Sequence, residues 1–96
     1  MTDFYDPTHP LPTPADPNDA TLVVGAGNAY IGLTVLNETA TGKAIRAIGL
    51  QDMIVGTTGI VRANANAIEF GAADSGIQNQ GTIHSINGTA ISFASG

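Results

Sequence analysis

Ninety-six residues allow at most one small domain. A net charge of −5 with only three cationic side chains, Lys43, Arg46 and Arg62, argues against a nucleic acid or an anionic membrane as partner, because too few phosphates could be neutralised. The absence of cysteine removes disulfide frameworks, thiolate metal sites and cysteine nucleophiles together.

The chain starts Met1-Thr2-Asp3-Phe4-Tyr5-Asp6-Pro7, which is acidic and lacks the apolar core of a secretory signal. No run reaches the roughly 18 apolar residues of a membrane-spanning helix. Synthesis in a cytoplasm without export by that route is therefore expected. Residues 1–20 hold all five prolines, Pro7, Pro10, Pro12, Pro14 and Pro17, together with Asp3, Asp6, Asp16 and Asp19. Proline fixes φ and lacks an amide donor, so this stretch is expected to be extended, partly polyproline-like, and outside any sheet interior. Read plainly it is a disordered leader. Read functionally it is a docking arm that orders on a partner, with Phe4, Tyr5, Leu11 and Pro12 as apolar anchors.

Residues 21–96 form the body. Charged residues make up only 11% of the chain, and the abundance of Gly, Ala, Thr and Asn suits short strands joined by tight turns. Val23-Val24-Gly25-Ala26-Gly27-Asn28-Ala29-Tyr30 opens like a dinucleotide-binding loop. Tyr30, however, stands where the third glycine belongs and no helical pattern follows, so the segment reads as a glycine turn into a first strand. From there the sequence repeats at an offset of 23, as from Ile60 to Ile83. Three turns are readable, near 25–47, 48–70 and 71–93. The apolar columns are Ile31/Ile54/Ile77, Ala44/Ala67/Ala90, Ile45/Ile68/Ile91, Ala47/Phe70/Phe93 and Ala40/Ala63/Ile86. Thr41/Asn64/Asn87 stays polar and is followed by the small residues Gly42, Ala65 and Gly88. The series Asn37/Ile60/Ile83 breaks at its first member.

Within a turn, apolar and polar residues alternate. Ile68 and Phe70 flank Glu69, and Ile91 and Phe93 flank Ser92, so the apolar members share one face. Stacking turns about 4.8 Å apart puts like over like and makes a continuous interior. The Thr/Asn column suits a corner, where an amide can bond to the turn above and the backbone can enter the left-handed region. These features predict an all-β chain, a three-rung parallel stack with an extended N-terminal arm. The competing fold is a small β-barrel or sandwich in which Asn87-Gly88 closes a two-residue hairpin, although neither face of that hairpin is cleanly apolar.

The stretch Gly76–Phe93 contains Asn79-Gln80-Gly81-Thr82-Ile83 and Asn87-Gly88-Thr89-Ala90-Ile91-Ser92-Phe93. It resembles one rung of a right-handed parallel β-helix and is similar to rungs of bacterial autotransporter passengers and of phage tailspikes. The helices of those families run many rungs, whereas three rungs here stack only about 14 Å high. Both ends are then expected to expose sheet edges and apolar interior, and a body this small is expected to be completed by copies of itself or by a host structure. The resemblance implies a trimer.

Candidate chemistry is sparse. His9 lies in the proline-rich stretch, and His84 should face outward by alternation. Neither has ligand-forming residues placed near it by sequence. Arg46 and Glu69 fall one period apart in an outward column and suit a cross-rung ion pair. Asp52 and Asp74 do not share a column, so a carboxylate pair for glycosidic cleavage is not supported. No cofactor is implied and the chain is read as non-enzymatic. The expected role is a structural protein of a bacteriophage particle, a capsid decoration protein or short head fibre, docking through residues 1–20 onto a major capsid protein or another virion protein. The alternative is a receptor- or glycan-binding module of a tail fibre or adhesin, with Tyr30 and His84 on the contacting faces.

Overall fold

A computed structural model describes residues 2–8, 19–25, 27–49, 51–71 and 75–93. The described residues form eleven short strands and no helix: β1 (Thr2–Tyr5), β2 (Ala20–Val24), β3 (Gly27–Ile31), β4 (Thr34–Asn37), β5 (Lys43–Ala47), β6 (Gln51–Val55), β7 (Ile60–Ala63), β8 (Ile68–Phe70), β9 (Gly76–Asn79), β10 (Thr82–Ser85) and β11 (Ile91–Phe93). They lie in three sheets, ordered β1-β3-β6-β9, β4-β7-β10 and β2-β5-β8-β11. From β2 onward successive strands visit successive sheets and each pairs in parallel with the strand three further on, while β1 pairs in parallel with β3. The result is a β-solenoid of about three turns with three faces. β10 and β11 lie in different sheets, so Asn87-Gly88 closes no hairpin and the barrel or sandwich is not the fold.

The third face follows the 23-residue period without exception. Leu22, Ile45, Ile68 and Ile91 stack in one inward column, and Val24, Ala47, Phe70 and Phe93 in the next. Phe70 and Phe93 stack with ring centroids 4.8 Å apart and planes 11° from parallel, which is the rung spacing itself. Full burial of a side chain such as Phe70 or Ile68 stabilises the fold by about 1.5–3 kcal/mol.

The other two faces depart from that period. On the first face paired residues from β3 to β9 are 24 apart, as in Ile31 with Val55 and Met53 with Ile77, and those of β1 and β3 are 26 apart. Ile31, Ile54 and Ile77 are therefore not one column. Ile54 pairs with Tyr30 and turns outward, and the inward residues are Ala29, Met53 and Ile77 beside Ile31 and Val55. On the second face the offset is 26 from Thr34 to Ile60 and 22 from Ile60 to Thr82. Val35, Val61 and Ile83 form its inward column, while Ile60 is exposed. Ala63 pairs with Asn37 and Ser85, and Ile86 is exposed. The physical reason is that faces must keep register but corners need not, so corners of unequal length displace whole strands along the sequence.

Asn37 breaks its apparent column because it holds such a corner. Nearly fully buried, it donates through Nδ2 to the Lys43 carbonyl at 2.9 Å. Its Oδ1 accepts from the Thr39 amide at 2.9 Å and the Thr39 hydroxyl at 2.6 Å. Ser85, two rungs along the same column, donates to the Ala65 carbonyl and accepts from the Gly88 amide. Corner amides also reach the next rung, as expected: Asn64 Nδ2 donates to the Glu38 carbonyl, and Asn66 Oδ1 accepts from the Thr89 amide. The corners do this without left-handed asparagines. Among the described residues Gly27 alone has positive φ, at 124°, at the start of β3.

The two ends differ, although both were expected to be open. At the β1/β2 end Leu22 and Val24 are 1% and 2% exposed, and Tyr5 and Leu33 pack on the core. At the other end Ile77, Ile83 and Ile91 are only partly buried and Phe93 is 43% exposed. β1 contributes to this closure by pairing with β3, so the first residues of the expected arm extend the body's first sheet as an edge strand. Sheet pairing thus joins residues 2–5 to residues 28–31.

Ile68→Asp places an unpaired carboxylate in the closed interior and should cost more than about 4 kcal/mol, unfolding the body. Ile91→Asp, at the open end, should lower the melting temperature far less, and equal effects in thermal circular dichroism would contradict the asymmetry of the ends. Asn37→Ala removes the side-chain bonds to the Lys43 carbonyl and from the Thr39 amide, and denaturant titration should read a loss of about 1–3 kcal/mol.

Candidate interaction site

Outward residues of the first face form its most structured surface. Phe4, Tyr30 and Ile54 lie side by side on β1, β3 and β6, with the Phe4 and Tyr30 rings 6.0 Å apart and tilted by 49°. Asn28 and Asp52 are paired one step earlier on β3 and β6. Together with Ala29 they line a shallow cleft of about 410 Å³. The Tyr30 ring runs over the adjoining corner. A Cβ at Gly56 would collide with the Tyr30 hydroxyl, and one at Gly32 would press on its ring edge. Two glycines thus make room for one aromatic ring. The cleft offers apolar ring faces, one carboxylate and one amide.

The second face carries a different ladder. Leu36, Arg62 and His84 align outward on β4, β7 and β10, all exposed, beside Thr34, Ile60 and Thr82. On the third face the outward residues meet an ion cluster. Arg46 donates to Asp19 at 2.9 Å, and Lys43 lies 3.6 Å from Asp19 and 3.9 Å from Glu69. Arg46 and Glu69 are register neighbours as expected, but Arg46 takes Asp19 as its partner and Lys43 lies nearer to Glu69. These half-exposed pairs contribute little, typically under about 1 kcal/mol each.

The open end is the fourth surface. Ile77, Ile83, Ile91 and Phe93 show their side chains there, and β9, β10 and β11 are the last strands of their sheets. From Ser75 onward the sequence contains no Asp, Glu, Lys or Arg.

The expected site residues are distributed unevenly over these surfaces. Phe4 is 52% exposed and packs beside Tyr30, whereas Tyr5 faces inward onto the chain's own core. Leu11, Pro12, His9 and Asp74 lie outside the described residues. Tyr30 and His84 both face outward, on different faces. The sequence reading missed Asn28, Asp52 and Ile54 as neighbours of Tyr30. A register of 24 on the first face would have found them, and the 23-residue period of the third face concealed it. Among the described residues no three His, Asp or Glu side chains converge as metal ligands would, and no helix is long and apolar enough to cross a membrane.

Fold and surfaces together define the class as a short parallel β-solenoid. Comparison with protein-family models, with curated proteins and with solved structures gives no match for the chain.

Proposed function

We propose that this chain is a non-enzymatic structural protein of a bacteriophage particle, a capsid decoration protein or short head fibre, that works by covering and joining protein surface. The observation that supports this reading is the uncharged, half-open last rung. A rung with free strand edges and exposed Ile and Phe side chains is a surface made to be covered. The resemblance of the rung sequences to phage tailspikes points to the particle. Residues 1–20 would supply the contact with the shell, with exposed Phe4 as the anchor on β1 and Leu11 and Pro12 further along. An antibody raised against the chain should label purified phage particles from its source at a fixed copy number per particle. Its absence from particles that are otherwise complete would sink the reading.

A second reading is favoured by the first-face cleft. Aromatic rings beside a carboxylate and an amide suit a pyranose, whose C–H face stacks on the ring while its hydroxyls bond to the polar groups. Under this reading the chain is a receptor- or glycan-binding module. A glycan array should then give signal with the natural chain and lose at least about tenfold in affinity with Tyr30→Ala, equivalent to about 1.4 kcal/mol. An empty array would remove it.

A further inference from the structure

We infer that the last rung is a self-association surface, on which a second copy of this chain seats end to end about a two-fold axis perpendicular to the solenoid. The inference deepens the structural reading above, and rests on it in taking the open end as a built surface.

Backbone valence comes first. The Thr82 amide donates to Gly59 and the Ile86 amide to Ala63. In a parallel ladder successive residues bond to opposite sides, so Ile83 and Ser85 aim their amides and carbonyls away from β7. Gln80 donates to Val55, which leaves Ile77 and Asn79 aimed away from β6. Ala90 accepts from Ile68, which leaves Ile91 and Phe93 aimed away from β8. Ile77, Ile83, Ile91 and Phe93 therefore carry both inward apolar side chains and backbone groups that reach away from the body. An occupant that supplies strands satisfies both at once.

Charge and symmetry identify the occupant. Natural edge strands are protected by charge, proline or cover. The first twenty residues carry all five prolines and four aspartates, while residues 75–96 carry no proline and no charged side chain. Two copies of the last rung can therefore face each other without repulsion, although the chain as a whole has net charge −5. Head-to-tail stacking would need the opposite end open, and Leu22 and Val24 are already buried there. A closed two-fold pair remains. Rotation about such an axis reverses the strand direction, so facing strands are antiparallel. The axis passes through the middle of one face, which pairs with itself, and exchanges the other two.

Strand lengths select the face. β9 and β10 have four residues each and β11 has three. Matching β9 to the second copy's β10 leaves β11 to pair with its own copy, centred on Ser92. Ile91 and Phe93 then sit opposite each other across the axis and exchange the hydrogen bonds they aim outward. Ser92 lies opposite the same serine in the close, non-hydrogen-bonded position, with Cα atoms about 4.5 Å apart. The trimer implied by the resemblance would instead be built on the sides of the solenoid.

Light scattering on the purified 96-residue chain decides between them. The pairing predicts twice the 9.7 kDa chain mass, falling to the single-chain mass in Phe93→Lys and unchanged in Ile48→Lys, an exposed apolar position away from the end. The chain has no cysteine, so Ser92→Cys gives a clean cross-link. It should run as a disulfide-linked dimer under oxidation, whereas Glu69→Cys, some 14 Å from its counterpart across the axis at three rung spacings, should not. Circular dichroism checks that Phe93→Lys is folded. If it is not, Ser92→Cys, at an outward position, carries the decision. A natural chain of one or three units, a dimer that persists in folded Phe93→Lys, or no cross-link in Ser92→Cys overturns the pairing. All of these are read on the purified chain, so a monomer would remove the pairing and leave attachment to particles to its own experiment.

Discussion

A strand in a parallel stack bonds to the rung below through one set of residues and to the rung above through the alternate set. No rung is complete by itself, and the rest of this molecule follows from that requirement. Because bonding and burial are both supplied by neighbours, interior rungs are fully satisfied while the two outermost ones depend on something else. At the β1/β2 end this chain supplies the cover itself, with Tyr5 and Leu33 packed on the core. At the β9–β11 end the same inward columns continue, but Ile77, Ile83 and Ile91 are left partly exposed. The interior does not change in character along the axis; only its termination does.

Register on a face is rigid because a shift of one residue would turn every inward side chain outward. Corners are free of that constraint and absorb differences in length. The second rung's corner at Gly56–Gly59 is two residues longer than its equivalents before β4 and before β10. The corner after Asn37 is three longer than the one after Ala63. Long corners then need their own bonds, and Asn37 and Thr39 provide them from within the chain. A buried asparagine in an apolar column is thus a corner fastener, a role its place in a periodic alignment hides.

The legible parts of the fold were those where corners happened to compensate. On the third face they do, so Ile45/Ile68/Ile91 and Ala47/Phe70/Phe93 could be read directly as interior columns. Elsewhere Ile54 and Ile60 looked like core and are exposed, while Val35, Val61 and Met53 were overlooked. Alternation placed His84 on the outside, since that inference needs only the local strand, and Tyr30, expected on a contacting face, is outward as well. What Tyr30 lies beside required the register between strands, and so Phe4, Asn28, Asp52 and Ile54 were not legible around it. Proline-rich composition likewise hid β1, because its four residues precede the first proline. Asp19 was assigned to the same proline-rich stretch and is in fact the carboxylate that Arg46 engages.

The corner between β4 and β5 has one further consequence, for grafting. Its length is set by residues 38–42, its ends are held by Asn37 and Thr39, and Ala40 and Thr41 at its tip are exposed. A foreign peptide spliced between Ala40 and Thr41 would lengthen a corner that already exceeds its neighbours, and shift no buried column. The cost of closing the longer loop grows only slowly, about 0.6 kcal/mol for each doubling. The solenoid is in that sense a display scaffold, with its insertion point marked by the same asparagine that interrupts the repeat.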